Sequence, residues 1–235
     1  MTLPIFYIEE SVTSHDGIVL NEATSKHIIQ VLRMQKGEKL QLTDGLGNLH
    51  TAEITNDNRK KCLVKIIETV KHPKPASNVS IAISLIKNNS RFEWFLEKAT
   101  EIGVSEIIPL ICERTEKQNF RLDRMKTILV SAMLQSQQTW LPVLYEPIKF
   151  TQFITSAIDA KKMIAHCEEG ENKRSLVSET GTKKNKLILI GPEGDFSTTE
   201  IEAALANNFT AVELGETRLR TETAGIVAAS LLCNL

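Results

Sequence analysis

Charge of either sign is almost absent in sum from this 235-residue chain, since 28 Lys and Arg stand against 29 Asp and Glu for a formal net charge of -1. Global attraction to a polyanion is thereby excluded, and any nucleic-acid partner must be held by a local basic patch. The four cysteines, Cys62, Cys112, Cys167 and Cys233, are scattered in or beside apolar runs, with no CxxC pair and no histidine at metal-ligand spacing. That argues against a zinc site and predicts buried free thiols with no metal. No apolar run approaches the roughly 18 residues of a membrane span, and Met1-Thr2-Leu3-Pro4 lacks a charged segment followed by an apolar one. A reducing, cytoplasmic setting without a membrane is the expectation. No internal repeat is present, and the one biased segment, residues 168–186, reads as polar mobile surface. A GxxxxGK[ST] run is also missing, which argues against a phosphate-cradling Walker loop.

What is present begins with short strands. Residues 4–8 and 17–20 are apolar runs, and residues 39–43, 49–54 and 62–67 cluster β-formers between turn signals such as Asp44-Gly45. They predict a small β-barrel or sandwich. One helix interrupts it from Asn21 or Glu22 to about Met34, with Ile28, Ile29, Val31 and Leu32 as its apolar side and Lys36-Gly37 closing it. His72-Pro73-Lys74-Pro75 then breaks the pattern, because each proline removes a donor and holds its predecessor extended. The boundary between a domain over residues 1–72 and another over 76–235 is placed there.

Beyond it, strands alternate with helices. Residues 79–86 form an apolar strand, and Ser90 with Glu93 reads as a capping box for a helix carrying Phe92, Phe95, Leu96, Ala99 and Ile102 on one face and ended by Gly103. Residues 105–111 are the next strand, 122–137 a helix, 151–159 a short helix, and 162–166 and 187–190 further strands. Uniformly apolar strands alternating with helices predict an α/β domain, a parallel sheet covered on both faces. Ligands of such sheets bind beyond the carboxyl ends of the strands.

Two Gly-bearing turns occupy such positions in the last fifty residues. Residues 187–190 run into Gly191-Pro192-Glu193-Gly194, with Ser197 and Glu200 as a capping box for a helix carrying Ile201, Ala204 and Leu205. Residues 211–214 form a strand, followed by Gly215, by Arg218 and Arg220 around Leu219, and by Thr221-Glu222-Thr223 opening a helix of small and apolar residues. A helix apolar on all sides must be buried in a core or an interface. A Gly turn suits both a ligand and a plain tight turn. The arginines suit both chemistry and a structural ion pair with Glu193, Glu213 or Glu222.

The run Leu-Ile-Gly-Pro-Glu-Gly-Asp-Phe-Ser at 189–197 with Leu-Gly-Glu-Thr-Arg-Leu-Arg-Thr-Glu-Thr-Ala at 214–224 resembles the RsmE family of 16S ribosomal RNA uridine-N3 methyltransferases, within the SPOUT superfamily. The likeness extends to Glu97-Lys98-Ala99-Thr100-Glu101-Ile102-Gly103-Val104, Pro109, Glu113-Arg114 and the segment at 27–37 with Val31-Leu32-Arg33-Met34, which is similar to the helix of the family's PUA-like RNA-binding barrel. Of the family's Glu-Gln-Ser-x-Arg run, Leu134-Gln135-Ser136-Gln137-Gln138 keeps Gln135 and Ser136.

The resemblance implies a parallel sheet with a C-terminal deep trefoil knot, an exception to the rule against knotted chains. It further implies a homodimer acting on 16S ribosomal RNA, and S-adenosylmethionine held by Leu189, Ile190, Gly191, Pro192, Glu193, Gly194, Leu214, Gly215, Arg218, Leu219, Arg220 and Thr221. Arg220 is the candidate to stabilise the uracil anion, and Glu222 the candidate base or orienter of Arg220. Arg33, Lys36 and Arg114 are the candidate RNA contacts; the part through Pro75, which holds the first two, has ten Lys and Arg against nine Asp and Glu and so no excess of charge.

Overall fold

The computed structural model describes residues 3–9, 17–156, 159–168, 173–179 and 184–234, so part of the polar stretch at 168–186 and the end of the helix expected at 151–159 lie outside the described residues. The chain divides into two compact units, one running to Lys74 and taking in Met133–Leu141, the other made of Pro75–Ala132 and Pro142–Leu235. Among the described residues no helix is long and apolar enough to cross a membrane.

The first unit contains β1 (Ile5–Tyr7), β2 (Ile18–Val19), α1 (Glu22–Lys26), β3 (Lys39–Thr43), β4 (Asn48–Asn56) and β5 (Leu63–Lys71). They form one five-stranded sheet in the order β1-β3-β4-β5-β2. Only β1 and β3 run parallel within it. Alternation along β3 and β4 turns Leu40, Leu42, Ala52 and Ile54 into a shared core with Ile28 and Val64.

The helix expected to reach Met34 does not do so as an α-helix. Asn21 caps it by accepting from the Thr24 N–H at 2.8 Å, but at His27–Val31 the chain widens into a π-turn and Arg33 adopts a left-handed φ of 57°. A residue added to one turn rotates everything after it by about 100°. Ile28 therefore stays fully buried while Val31 and Leu32, expected on the same apolar side, are 67% and 43% exposed.

The second unit contains β6 (Asn78–Ser84), α2 (Asn89–Ile102), β7 (Glu106–Ile111), most of α3 (Leu122–Gln135), β8 (Val143–Leu144), β9 (Ile148–Lys149), α4 (Phe150–Phe153), β10 (Lys161–Ala165), β11 (Arg174–Ser175), β12 (Asn185–Ile190), α5 (Thr198–Ala206), β13 (Thr210–Glu213) and α6 (Thr221–Asn234). The strands make one parallel sheet in the order β11-β13-β10-β12-β6-β7-β8, with β9 also beside β7. β12 thus lies between β6 and β10, although both precede it in the chain. Its side chains Leu187, Ile188, Leu189 and Ile190 are buried, as a strand covered on both faces requires.

Gly103, at φ 98°, ends α2. The start of α2 differs from expectation. Asn88 takes the cap by accepting from the Ser90 N–H at 3.0 Å, and Glu93 is drawn instead to Arg124 of α3, at 2.5 and 2.8 Å. The α6 helix packs on α2, β6 and β12. Gly225 makes the approach possible, because a Cβ there would stand 2.6 Å from the Phe95 ring. At the other end of α6 the buried Lys186 ammonium donates to the Leu232 carbonyl at 3.0 Å, satisfying a helix-end acceptor with a cation of the favoured sign. Two of the four cysteines are not buried as expected, since Cys167 is exposed and Cys233 half-buried at helix and loop ends. Burial does push the Cys112 thiol up to about 12.

Beside β10 and β11, buried Glu179 is held by Lys161 and by Arg174 Nη1 at 3.0 Å. Hydrogen bonds from Lys161 and then Arg174 hold its carboxyl below the usual carboxylate range. A depressed carboxyl contributes stability above its unfolded pKa and loses it as pH falls through the folded one. Urea denaturation of wild type and Glu179→Gln should therefore show a stability gap at neutral pH that closes as the solution is acidified below about pH 4. A gap that stays constant with pH overturns this.

Candidate functional site

Register pairs Ala165 with Ile190 and with Val212, which aligns the carboxyl ends of β10, β12 and β13. The loops leaving those ends meet over two joined hollows. The larger, of about 360 Å³, is lined by residues that include Ala165, His166, Lys173, Leu214 and Gly215. The smaller, of about 310 Å³, is lined by residues that include Ile190, Gly191, Pro192, Glu193 and Thr221. Ala165, Cys167, Arg218, Leu219 and Ala224 belong to both, so the two are lobes of one crevice. This is where open parallel sheets bind ligands.

The loop after β12 is held in shape from outside. Within it, the Asp195 N–H donates to the Pro192 carbonyl at 2.9 Å, and Asp195 itself sits at φ 65°. Its carboxylate accepts from the Phe196 N–H at 2.9 Å and from the Cys167 N–H, across the crevice floor, at 2.7 Å. Glu193 accepts from the Lys87 N–H at 3.0 Å, past the end of β6. Arg114, past the end of β7, donates to the Gly194 carbonyl at 2.8 Å and to the Phe196 carbonyl at 3.3 Å. Gly191 lets the loop pass close to Phe196, since a Cβ there would lie a tight 3.1 Å from the Phe196 backbone nitrogen. The expected capping box of Ser197 and Glu200 forms on α5. It is tied in turn to Glu113, whose N–H donates to Glu200 at 2.8 Å and whose carboxylate accepts from Ser197 Oγ at 2.6 Å.

Of the residues singled out for a cofactor, Ile190, Gly191, Pro192, Glu193, Leu214, Gly215, Arg218, Leu219, Arg220 and Thr221 line the crevice. Leu189 and Gly194 do not. Leu189 points into the core with Leu187 and Phe196 because strand side chains alternate, and the Cα of Gly194 faces the Arg114 side chain. The loop after β13 leaves bare main chain at Gly215, whose φ is 143° and whose missing Cβ would meet nothing.

The ion pair weighed for the two arginines is not made. Arg218 and Arg220 are exposed and, among the described residues, neither pairs with a carboxylate. Glu222 turns the other way. It is 7% exposed, and its Oε1 lies 3.6 Å from Arg91 Nε on α2, while its Oε2 is buried without a partner among the described residues. It does not line the crevice. Arg33 and Lys36 are exposed in the first unit, whereas Arg114 belongs to the second and braces the loop after β12.

His166, Cys167 and Asp195 also line the crevice, although none of them stands among the candidate site residues. His166 lines the larger lobe, with Nδ1 shut off from solvent and, among the described residues, unpartnered. Burial, and then the Lys173 ammonium, hold its imidazole below the ordinary range, against the pull of Asp195 and Glu168. For His166 and Cys167 a place at the end of a parallel strand was the available signal, and it becomes pointed only once β10 is known to adjoin β12 and β13, whereas Asp195 lies within the run at 189–197.

Comparison with known proteins bears on the whole chain. A family model described as an RNA methyltransferase domain matches residues 72–233, and one described as an RNA methyltransferase PUA domain matches residues 20–67. Ribosomal RNA small subunit methyltransferase E of Synechocystis sp. is 31% identical over 219 residues, covering 90% of this chain and 71% of the relative. Among solved structures, a probable rRNA-methyltransferase from Porphyromonas gingivalis aligns with a TM-score of 0.89 at 40% identity, covering 97% of this chain and 95% of the other. A ribosomal RNA small subunit methyltransferase E from Neisseria gonorrhoeae bound to S-adenosyl methionine aligns with a TM-score of 0.83 at 27% identity, covering 97% and 96%. The chain belongs to the RNA methyltransferase family of ribosomal RNA small subunit methyltransferase E.

Proposed function

We propose that the protein is an S-adenosylmethionine-dependent methyltransferase acting on N3 of a uridine in 16S ribosomal RNA, in a cytoplasmic setting and as a homodimer. The observation that carries this is the convergence of the two Gly-bearing loops on one crevice with an unpaired arginine, Arg220, in its wall. The order that sets β12 between β6 and β10 supports a knotted C-terminal segment. Half-buried Ile226, Val227 and Leu231 on α6 support a face for a second copy. Residues 1–72 serve as the PUA-like RNA-binding domain and 76–235 as the methyltransferase domain. Exposed Arg33 and Lys36 then supply phosphate contacts, with Arg114 offering whatever donors the loop carbonyls leave free.

The crevice suits the cofactor. Ile190 and Leu219 give it apolar walls, and the turns at Gly191 and Gly215 bring main chain close without a side chain in the way. Bound there, S-adenosylmethionine supplies an electrophilic sulfonium methyl. The chain's own task is to hold the uracil in line and to favour its N3 anion, whose charge spreads onto the flanking carbonyls. Arg220 brings a permanent cation with forked donors to that position. Glu222, engaged with Arg91 away from the crevice, acts as an anchor of the first turn of α6 and not as the base.

Isothermal titration with S-adenosylmethionine tests the cofactor, and absence of binding at millimolar ligand sinks the enzyme reading in favour of a non-catalytic RNA-binding protein. Nucleoside mapping of ribosomal RNA from a deletion strain, with add-back of the protein, tests the base. A lost modification other than N3-methyluridine transfers the assignment to a different base atom.

A further inference from the structure

The crevice contains a polar atom that the fold itself leaves unanswered. His166 follows β10 and lines the larger lobe, yet its Nδ1 is buried with no hydrogen-bond partner among the described residues. Its Nε2 is not among the buried unpartnered atoms, and no described residue bonds to it, so this is the nitrogen within reach of a ligand.

The surroundings decide which nitrogen carries the hydrogen. Protonating both would place an N–H at Nδ1 with no acceptor, in a wall already crowded by the Lys173 ammonium, which donates to the His166 carbonyl at 3.0 Å. The neutral ring avoids this by keeping its single hydrogen on the accessible Nε2 and burying only a lone pair. The other charged side chains of this lobe are Glu213, Glu216 and Arg218, with Asp195 and Glu168 also acting on the ring. Since Lys173 and Arg218 offset only two of these four carboxylates, what the neutral imidazole adds is a directional donor and not a charge.

We propose that His166 is a cofactor-recognition residue, its Nε2–H donating to an acceptor of S-adenosylmethionine in the larger lobe. That acceptor is either the carboxylate of the methionyl end or an oxygen or ring nitrogen of the adenosyl end. The proposal rests on the cofactor reading above.

Calorimetry with S-adenosylhomocysteine and with 5′-methylthioadenosine, which lacks the amino-acid end, tests it on wild type, His166→Ala and His166→Gln at a pH where the ring is neutral. The alanine variant should bind S-adenosylhomocysteine about tenfold more weakly. Glutamine, whose amide N–H can replace Nε2–H, should recover most of the loss. A loss shared by both ligands places the acceptor on the adenosyl end, and a loss confined to S-adenosylhomocysteine places it on the carboxylate. Equal binding of alanine variant and wild type overturns the proposal while leaving the cofactor reading intact, whereas no binding by wild type overturns both. Should the variants unfold, histidine ¹⁵N resonances of the wild type decide the question. Saturating S-adenosylhomocysteine should shift Nε2 of His166, and an unmoved resonance overturns the assignment.

Discussion

Arg220→Ala is expected to lower the rate of ribosomal RNA methylation by about 10² to 10³-fold while S-adenosylmethionine affinity falls by no more than about tenfold. The split follows from where the side chain stands. Arg220 lines the smaller lobe and is exposed, with no carboxylate holding it among the described residues, so its removal breaks no ion pair of the fold. On the proposed mechanism, what is lost is a cation at the place where negative charge would grow on the uracil as N3 gives up its proton. Arg220→Lys keeps the charge but not the planar fork, and an intermediate rate is expected. Single-turnover methylation of 16S RNA or small subunits, beside calorimetry of the cofactor, separates the two quantities. Near-normal rates in the alanine variant would end the assignment, and an equal fall in rate and affinity would make Arg220 a cofactor ligand only.

Gly225→Ala is expected to destabilise the protein by about 2 kcal/mol, against the usual direction of such a change. In an ordinary helix the alanine would gain about 1 kcal/mol through backbone entropy. Here the added Cβ would meet the Phe95 ring at 2.6 and 2.9 Å and Ile83 Cδ1 at 3.0 Å. Both neighbours are fully buried, so neither can swing into solvent to make room. Crowding of this kind typically costs 1 to 3 kcal/mol, roughly, because packed interiors move as whole elements. The strain falls on the seam between α6 and α2, and a smaller partner should relieve it. Phe95→Leu combined with Gly225→Ala should be less destabilised than the sum of the single changes. Urea denaturation measures all three, and an alanine variant at least as stable as wild type refutes the close-packing account.

Much of the second unit could be read from residues whose signals are local. Ser197 and Glu200 stand three apart before an apolar stretch, and they form the box that this spacing predicts. Gly103 follows the last inward residue of α2 and adopts the left-handed turn only glycine takes freely. Misreadings arose where another residue took the expected partner's place. Asn88 caps α2 two positions before Ser90 and leaves Glu93 to Arg124, and Glu222 leaves the nearby arginines for Arg91, on a helix more than a hundred positions earlier. The π-turn at His27–Val31 has no motif of its own, yet it sends Val31 and Leu32 outward. In the crevice, the two glycine turns announced themselves by composition, while His166 and Cys167 became visible only through the strand order.

The loop after β12 owes its form to Lys87, Arg114 and Cys167, each anchored at the end of a different strand. Its six or seven residues are therefore an incomplete set of instructions. Transplanted alone into another parallel sheet, Gly-Pro-Glu-Gly-Asp would carry the letters and leave the conformation behind, because the hydrogen bonds that bend it are written elsewhere in the chain. Conversely, a change at Arg114, which does not line the crevice but holds the loop through its side chain, alters the crevice wall from outside it.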